Sequence, residues 1–263
     1  MALIVLTSAN GSPGVTASAL GLALSWPRPV VLVDADPTGA RAVPAGYLRG
    51  GQLPTDATLV DLAIAHRQGT LNEELPKALM TLESNVQFLC GPLRHNQARA
   101  LDSLWEPLGG VLKSLERNGQ DVIVDAGRLG LEGSPAKLIA AADLALLVTR
   151  TTLPALVAAS SWAPTLRDTF ARAGAADSLG ALLVGAGAPY SASEAAKVLG
   201  IPVVASLALD APSAEVYSDG ARAPRKFATS SLNKSLRATV QAIQSTVAAT
   251  QTSLGLVQER SSR

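Results

Sequence analysis

Seven short runs rich in Val, Ile and Leu, uninterrupted rather than alternating with polar residues, constrain this chain more than any other feature. They lie at Leu3–Thr7, Val30–Val33, Val86–Leu89, Val122–Val124, Leu144–Thr149, Leu182–Val184 and Val203–Leu207. A strand with one wet face alternates apolar and polar side chains, so an unbroken run needs cover on both faces, as in a parallel sheet between two helical layers. Helix-like segments separate the runs at about Thr16–Ser25, Thr58–His66, Gln97–Arg117, Pro135–Ala141, Pro154–Arg172 and Ser191–Leu199. Strand and helix thus alternate throughout. With right-handed crossovers this predicts an α/β fold, a doubly wound, mainly parallel sheet with helices on both faces.

Of the 263 residues, 48% are hydrophobic, ample for one core of that size. No repeat of fixed period is visible, and the Pro/Gly-rich stretch Pro44–Pro54 reads as a loop after the second strand, so residues 1–250 are expected to form a single domain. Leu236, Val240, Ile243 and Val247 recur at helical spacing behind a candidate N-cap, Ser231, which predicts a closing helix packed on the domain. Residues 251–263 read as a polar C-terminal tail.

A formal net charge of +1, with no block of Lys and Arg, gives no strong nucleic-acid signal. The single cysteine, Cys90, has no partner for an internal disulfide and is read as a small core residue. No apolar stretch reaches the roughly 18–20 residues of a membrane span. The start Met-Ala-Leu-Ile-Val-Leu lacks the charged region of a signal peptide, so a cytoplasmic location is expected. His66 and His95 have no metal-ligand spacing around them, no Gly-x-Ser-x-Gly elbow is present, and Trp26, Trp105 and Trp162 read as packing or interface residues.

The chemistry concentrates after three of the apolar runs. Between the first run and the first helix lies Asn10-Gly11-Ser12-Pro13-Gly14-Val15-Thr16. A strand, a glycine-containing loop and a helix N-terminus make an anion cradle from backbone N–H groups, although the loop alone is equally explained as a tight turn. In a Walker-type loop a Lys follows the last Gly and reaches the β- and γ-phosphates, and the next Ser or Thr binds magnesium. Here Gly14 and Thr16 are present and Val15 stands where the Lys belongs. The second run ends in Asp34-Ala35-Asp36-Pro37-Thr38-Gly39, the fourth in Asp125-Ala126-Gly127. Both place carboxylates at the C-terminal strand edge, where doubly wound sheets bind ligands. An Asp there can hold a magnesium-bound water, and the Gly127 N–H can meet a γ-phosphate.

Together these segments resemble the MinD/ParA family of deviant Walker P-loop ATPases, in particular its divergent TadZ/CpaE-like members that help position pilus machinery. The family's Lys-Gly-Gly-x-Gly-Lys-Thr-Thr falls on Asn10 to Ala17, with Asn10 and Val15 replacing the two lysines, a degenerate Walker A loop. Asp-x-Asp-Pro-x-Gly stands intact at Asp34–Gly39, Val122–Asp125 matches the switch II strand, and Thr58–Leu62 the segment after switch I. Leu199–Val204 and Asp210–Val216 resemble the last strand and the loop over the adenine, whereas the base-reading Asn is Gly185 and a customary Pro is Ala208. The resemblance implies ATP and magnesium as cofactors, with Asn10, Gly11, Ser12, Gly14, Val15, Thr16, Asp36 and Gly127 at the cofactor site, to which Arg128 is added as a candidate from its place after a strand. It implies magnesium at Thr16 and Asp125, and catalytic roles for Asp34 and Asp125 if the chain is active. It further implies a homodimer and a protein partner in a secretion, pilus or partition-like assembly.

Arg41, Arg128 and Arg150 each follow a predicted strand and could supply the charge that Val15 lacks, or pair with Asp34, Asp36 and Asp125. Three functions stay open: a positioning scaffold with weak or absent hydrolysis, an ATPase with rearranged phosphate contacts, and an NAD-binding Rossmann oxidoreductase. The last lacks Gly-x-Gly-x-x-Gly.

Overall fold

All seven apolar runs become strands in the computed structural model, which describes residues 2–10, 13–39, 42–50 and 57–261, with the backbone alone from 253 onward. They are β1 (Leu3–Ser8), β2 (Val30–Asp34), β4 (Val86–Leu89), β5 (Asp121–Arg128), β6 (Leu144–Arg150), β7 (Leu179–Val184) and β8 (Val203–Leu207), and β3 (Met80–Glu83) precedes β4. The sheet order is β3-β4-β2-β5-β1-β6-β7-β8, parallel except for the antiparallel β3–β4 edge. The helices are α1 (Val15–Leu24), α2 (Leu59–Gln68), α3 (Leu71–Ala78), α4 (Trp105–Ser114), α5 (Ala136–Ala140), α6 (Leu153–Arg172), α7 (Ala192–Leu199), α8 (Ala211–Ser218) and α9 (Ser231–Ser261).

Successive strand residues feed opposite layers. Ile4 and Leu6 of β1 join α1, α8 and α9 in one apolar cluster, while Leu3 and Val5 join α2 to α7 in the other. Both faces are therefore covered, as unbroken apolar runs require. Trp26 and Trp105 are buried with their indole N–H groups donating to Asp121 (2.7 Å) and the Gly133 carbonyl (3.3 Å), and Cys90 is buried as expected. Among the described residues no helix is long and apolar enough to cross a membrane.

Four local differences from expectation have physical causes. The helix expected over Gln97–Arg117 is divided into a 3-10 segment (His95–Leu101), α4 and a 3-10 turn (Leu115–Asn118). Pro107 favours a helix start at Trp105, because proline has no N–H for an interior hydrogen bond and fits best in a first turn. Part of the expected loop Pro44–Pro54 is a π-helical turn, Val43–Tyr47, and residues 51–56 lie outside the described residues. The expected cap Ser231 instead donates to Asp210 (2.8 Å), and Ser230, in extended backbone, accepts from the Asn233 N–H (3.2 Å) as the true N-cap of α9. Finally, α9 runs on to Ser261, past the residue where the polar tail was expected to begin.

Candidate functional site

β1 ends at Ser8, and the chain turns through Gly14, whose φ of +97° precedes the first residue of α1. No side chain caps α1 and no acid occupies its first turn. Its leading N–H groups and positive dipole end are left facing the C-terminal edge of the sheet.

Strand register brings the carboxylates to that edge. Asp34 of β2 is level with Asp125 of β5, and Asp125 is level with Leu6 of β1. Immediately beyond, β5 bulges against β1, so that Ser8 pairs with Arg128. The extra residue is accommodated by Gly127 at φ +60°, where a Cβ would lie 2.6 Å from Asp36 Cγ. The bulge aims the Gly127 N–H at Asp125 Oδ1 (3.0 Å), while Thr7 Oγ1 donates to the Gly127 carbonyl (3.1 Å). Thr16, in the first turn of α1, donates its hydroxyl to Asp125 Oδ2 (2.5 Å). Loop, helix and switch-like strand thus form one joined network.

Burial, followed by repulsion from Asp125 and Asp36, pushes the Asp34 carboxyl well above the ordinary carboxylate range, against the Asp36 and Gly91 amides. Burial also lifts Asp125 to about 6, with Asp36 adding to the rise and hydrogen bonds from Thr16 and Gly127 opposing it. Acids shifted upward side by side are a pattern that clusters at functional sites. Among the described residues no three His, Cys, Asp or Glu side chains converge as a metal cage. The donor set of Thr16 hydroxyl and Asp125 carboxylate fits magnesium, which draws the rest of its octahedron from water and phosphate oxygens.

A cleft of about 620 Å³ opens over this network, lined by Ser8, Pro13, Gly14, Val15, Thr16, Ala17, Asp36, Thr38, Gly127, Arg128, Leu131, Arg150, Ala214 and Ser218. Of the expected site residues it gathers Gly14, Val15, Thr16, Asp36, Gly127 and Arg128. Asp34 and Asp125 are buried and absent from its lining, and Asn10 is half-buried away from it. Gly11, Ser12 and Arg41 lie outside the described residues. Val15 is only 7% exposed and belongs to the apolar cluster of α1, β1 and Tyr217. Arg128 and Arg150 are exposed at the cleft, and among the described residues neither forms an ion pair, so the expected alternative of pairing with Asp34, Asp36 or Asp125 is not realised. Ala214, expected in a loop over the adenine, and Ser218, which sequence reasoning did not single out, also line it. The segment expected as a loop over the adenine folds as α8, with Asp210 as N-cap and Pro212 in its first turn, and forms one wall of the cleft.

A second cavity, of about 400 Å³, lies at the opposite edge of the sheet. Its one buried acid, Asp121, is consumed by the Ala2 N–H (2.8 Å), the Trp26 indole and Arg28 (2.6 Å), a structural arrangement.

Topology decides against a dinucleotide fold. In a Rossmann sheet the strand carrying the ribose-binding acid lies beside the first strand. Here β5 separates β2 from β1.

No family model matches the chain, and no curated protein matches it in sequence. Solved structures do. The cell division ATPase MinD of Pyrococcus furiosus superposes with a TM-score of 0.71 at 25% identity over 93% of this chain and 99% of its own. The septum site-determining protein MinD of Pyrococcus horikoshii, complexed with Mg-ADP, gives 0.70 at 23% identity over 92% and 95%. A chain of the MinC:MinD cell division protein complex of Aquifex aeolicus gives 0.69 at 14% identity over 93% and 96%. The neighbours of this chain are MinD/ParA-family ATPases, and its eight-stranded, mostly parallel sheet with flanking helices is the MinD/ParA P-loop NTPase fold.

Proposed function

We propose that this chain is a MinD/ParA-like nucleotide-binding protein with a degenerate Walker A loop, which acts as a dimeric positioning or assembly scaffold and hydrolyses ATP weakly or not at all. One observation carries the reading: Val15, apolar and buried, stands where a phosphate-binding lysine belongs, while Thr16, Asp125 and Gly127 beside it keep a joined hydrogen-bond network. The retained parts bind and orient. The N–H groups at the start of α1 receive phosphate oxygens, and Thr16 and Asp125 would hold magnesium, which when bound neutralises charge between the β- and γ-phosphates. The lost part is catalytic. A preorganised cation aimed at developing charge is worth about a hundredfold to a thousandfold in rate, and valine supplies none of it.

Arg128 and Arg150, exposed and without ion pairs among the described residues, provide the positive charge for binding. The Mg-ADP in Pyrococcus horikoshii MinD supports a magnesium nucleotide here, and the MinC:MinD complex supports a protein partner. We assign that partner to a secretion, pilus or partition-like assembly in the cytoplasm, with residues 1–250 as the working domain.

Titration of the full chain with ATP, ADP and NAD, with and without magnesium, and phosphate release measured alongside, tests this. Saturable magnesium-dependent binding of ATP and ADP without appreciable turnover is expected. Rapid turnover would favour an ATPase with rearranged contacts, and binding of NAD alone would overturn the assignment.

A further inference from the structure

A ligand whose phosphates sit at the N-terminus of α1, directed away from the carboxylates that follow β2 and β5, extends along the C-terminal edge of the sheet toward β6, β7 and β8. Groups able to read it would come from the loops that follow these strands. Their leading polar groups are already engaged within the protein. The N–H of Gly185, first residue after β7, donates to the Leu207 carbonyl (2.9 Å), and its carbonyl accepts from Thr151 Oγ1 (2.7 Å) and the Ala188 N–H (3.0 Å). The Ala208 N–H, first after β8, donates to Ser235 Oγ (3.0 Å). Asp210 accepts from the Ser213 N–H (3.3 Å), Ser231 Oγ (2.8 Å) and the Leu232 N–H (3.4 Å), which ties together the starts of α8 and α9.

Neither Gly185 nor Ala208 carries a polar side chain in their place. Gly185 sits at φ +75°, and a Cβ there would stand 3.3 Å from Leu209 Cβ. Leu209 itself is 59% exposed, so this stretch of the edge presents carbon. The cleft reaches Arg150 and includes neither Gly185 nor Leu209 in its lining. A site built to hydrogen-bond its substrate rejects an analogue lacking those groups by several orders of magnitude, whereas an apolar surface discriminates weakly between polar isosteres.

We infer that the site recognises a magnesium-bound polyphosphate and is indifferent to the base attached to it. This rests on the phosphate-site reading proposed above. Binding energy comes from the start of α1 and from Arg128 and Arg150, and the nucleoside rides along without being read. Calorimetric titration of the full chain in magnesium buffer with ATP, GTP, inorganic triphosphate and adenosine tests it. The three triphosphates are expected to bind within about threefold of one another, with adenosine silent. ATP binding more than about tenfold tighter than both GTP and inorganic triphosphate would overturn the inference and leave the phosphate site standing. Absence of binding by all three triphosphates would overturn the phosphate site and the inference together.

Discussion

Replacing Asp125 by Asn should stabilise the ligand-free protein at neutral and alkaline pH. Asp125 is 3% exposed and its carboxyl is lifted to about 6, whereas in the unfolded chain it titrates near the ordinary value of about 3.9. The folded-state value lies above the unfolded one, so the favourable contribution is fully present below about pH 4 and is lost as pH rises through about 6. At pH 8 the ionised group therefore opposes folding by about two units, or about 3 kcal/mol. Asn keeps an oxygen for the Gly127 N–H, but its amide faces the Thr16 hydroxyl, which must turn from donor to acceptor at a cost of about 1 kcal/mol. The net gain is about 2 kcal/mol, a rise in Tm of roughly 4–8 °C for a chain of this size. Denaturant unfolding of both proteins at pH 8 and pH 4.5, without nucleotide, measures it. The gain should shrink at the lower pH, and the Asp125→Asn variant should lose affinity for magnesium nucleotide at the higher one. A variant no more stable than the native chain at pH 8, or a gain independent of pH, would refute the burial argument.

Other substitutions separate scaffold from site. Asp121→Ala leaves the Ala2 amide and the Trp26 indole without their acceptor, while the half-exposed Arg28 can turn to water, and should cost about 2–4 kcal/mol in urea unfolding without a specific effect on nucleotide affinity. Arg128→Ala should weaken nucleotide binding by about tenfold in titration, from loss of one charge-assisted contact, while leaving Tm unchanged because the side chain is exposed. Wild-type stability without nucleotide should fall from pH 5 to pH 7.5, since Asp34 and Asp125 are both raised. Saturating magnesium nucleotide should flatten that decline in the same unfolding assay.

Strands covered on both faces leave no polar alternation, so the central sheet is legible in the sequence. The edge strand β3, Met80–Glu83, buries fully only Met80, and so carries no unbroken run. α8 has one visible signal, Asp210 as N-cap with Pro212 in the first turn, which its short Ala-Pro-Ser-Ala-Glu-Val-Tyr-Ser stretch does not reinforce with an apolar stripe. Asp34 and Asp125 are readable as candidate site residues because each closes an unbroken apolar run. The placement of Ala214 and Ser218 at the cleft is not, because only packing of α8 on α1 brings them there. Likewise the apolar identity of Val15 is plain in the sequence, while its burial among core residues depends on the helix being docked. The β1–β5 bulge that aims the Gly127 N–H is a property of register, which is set by neighbouring strands rather than by local sequence.

If the missing cation at Val15 alone separates this site from a hydrolytic one, restoring it should restore turnover. Single-turnover phosphate release from bound Mg-ATP, compared between the native chain and Val15→Lys, is the decisive comparison. Release at least about a hundredfold faster in the variant is expected, the value of one well-placed donor. Equal rates in the two proteins, fast or slow, would contradict the reading of Val15 as the lost catalytic position.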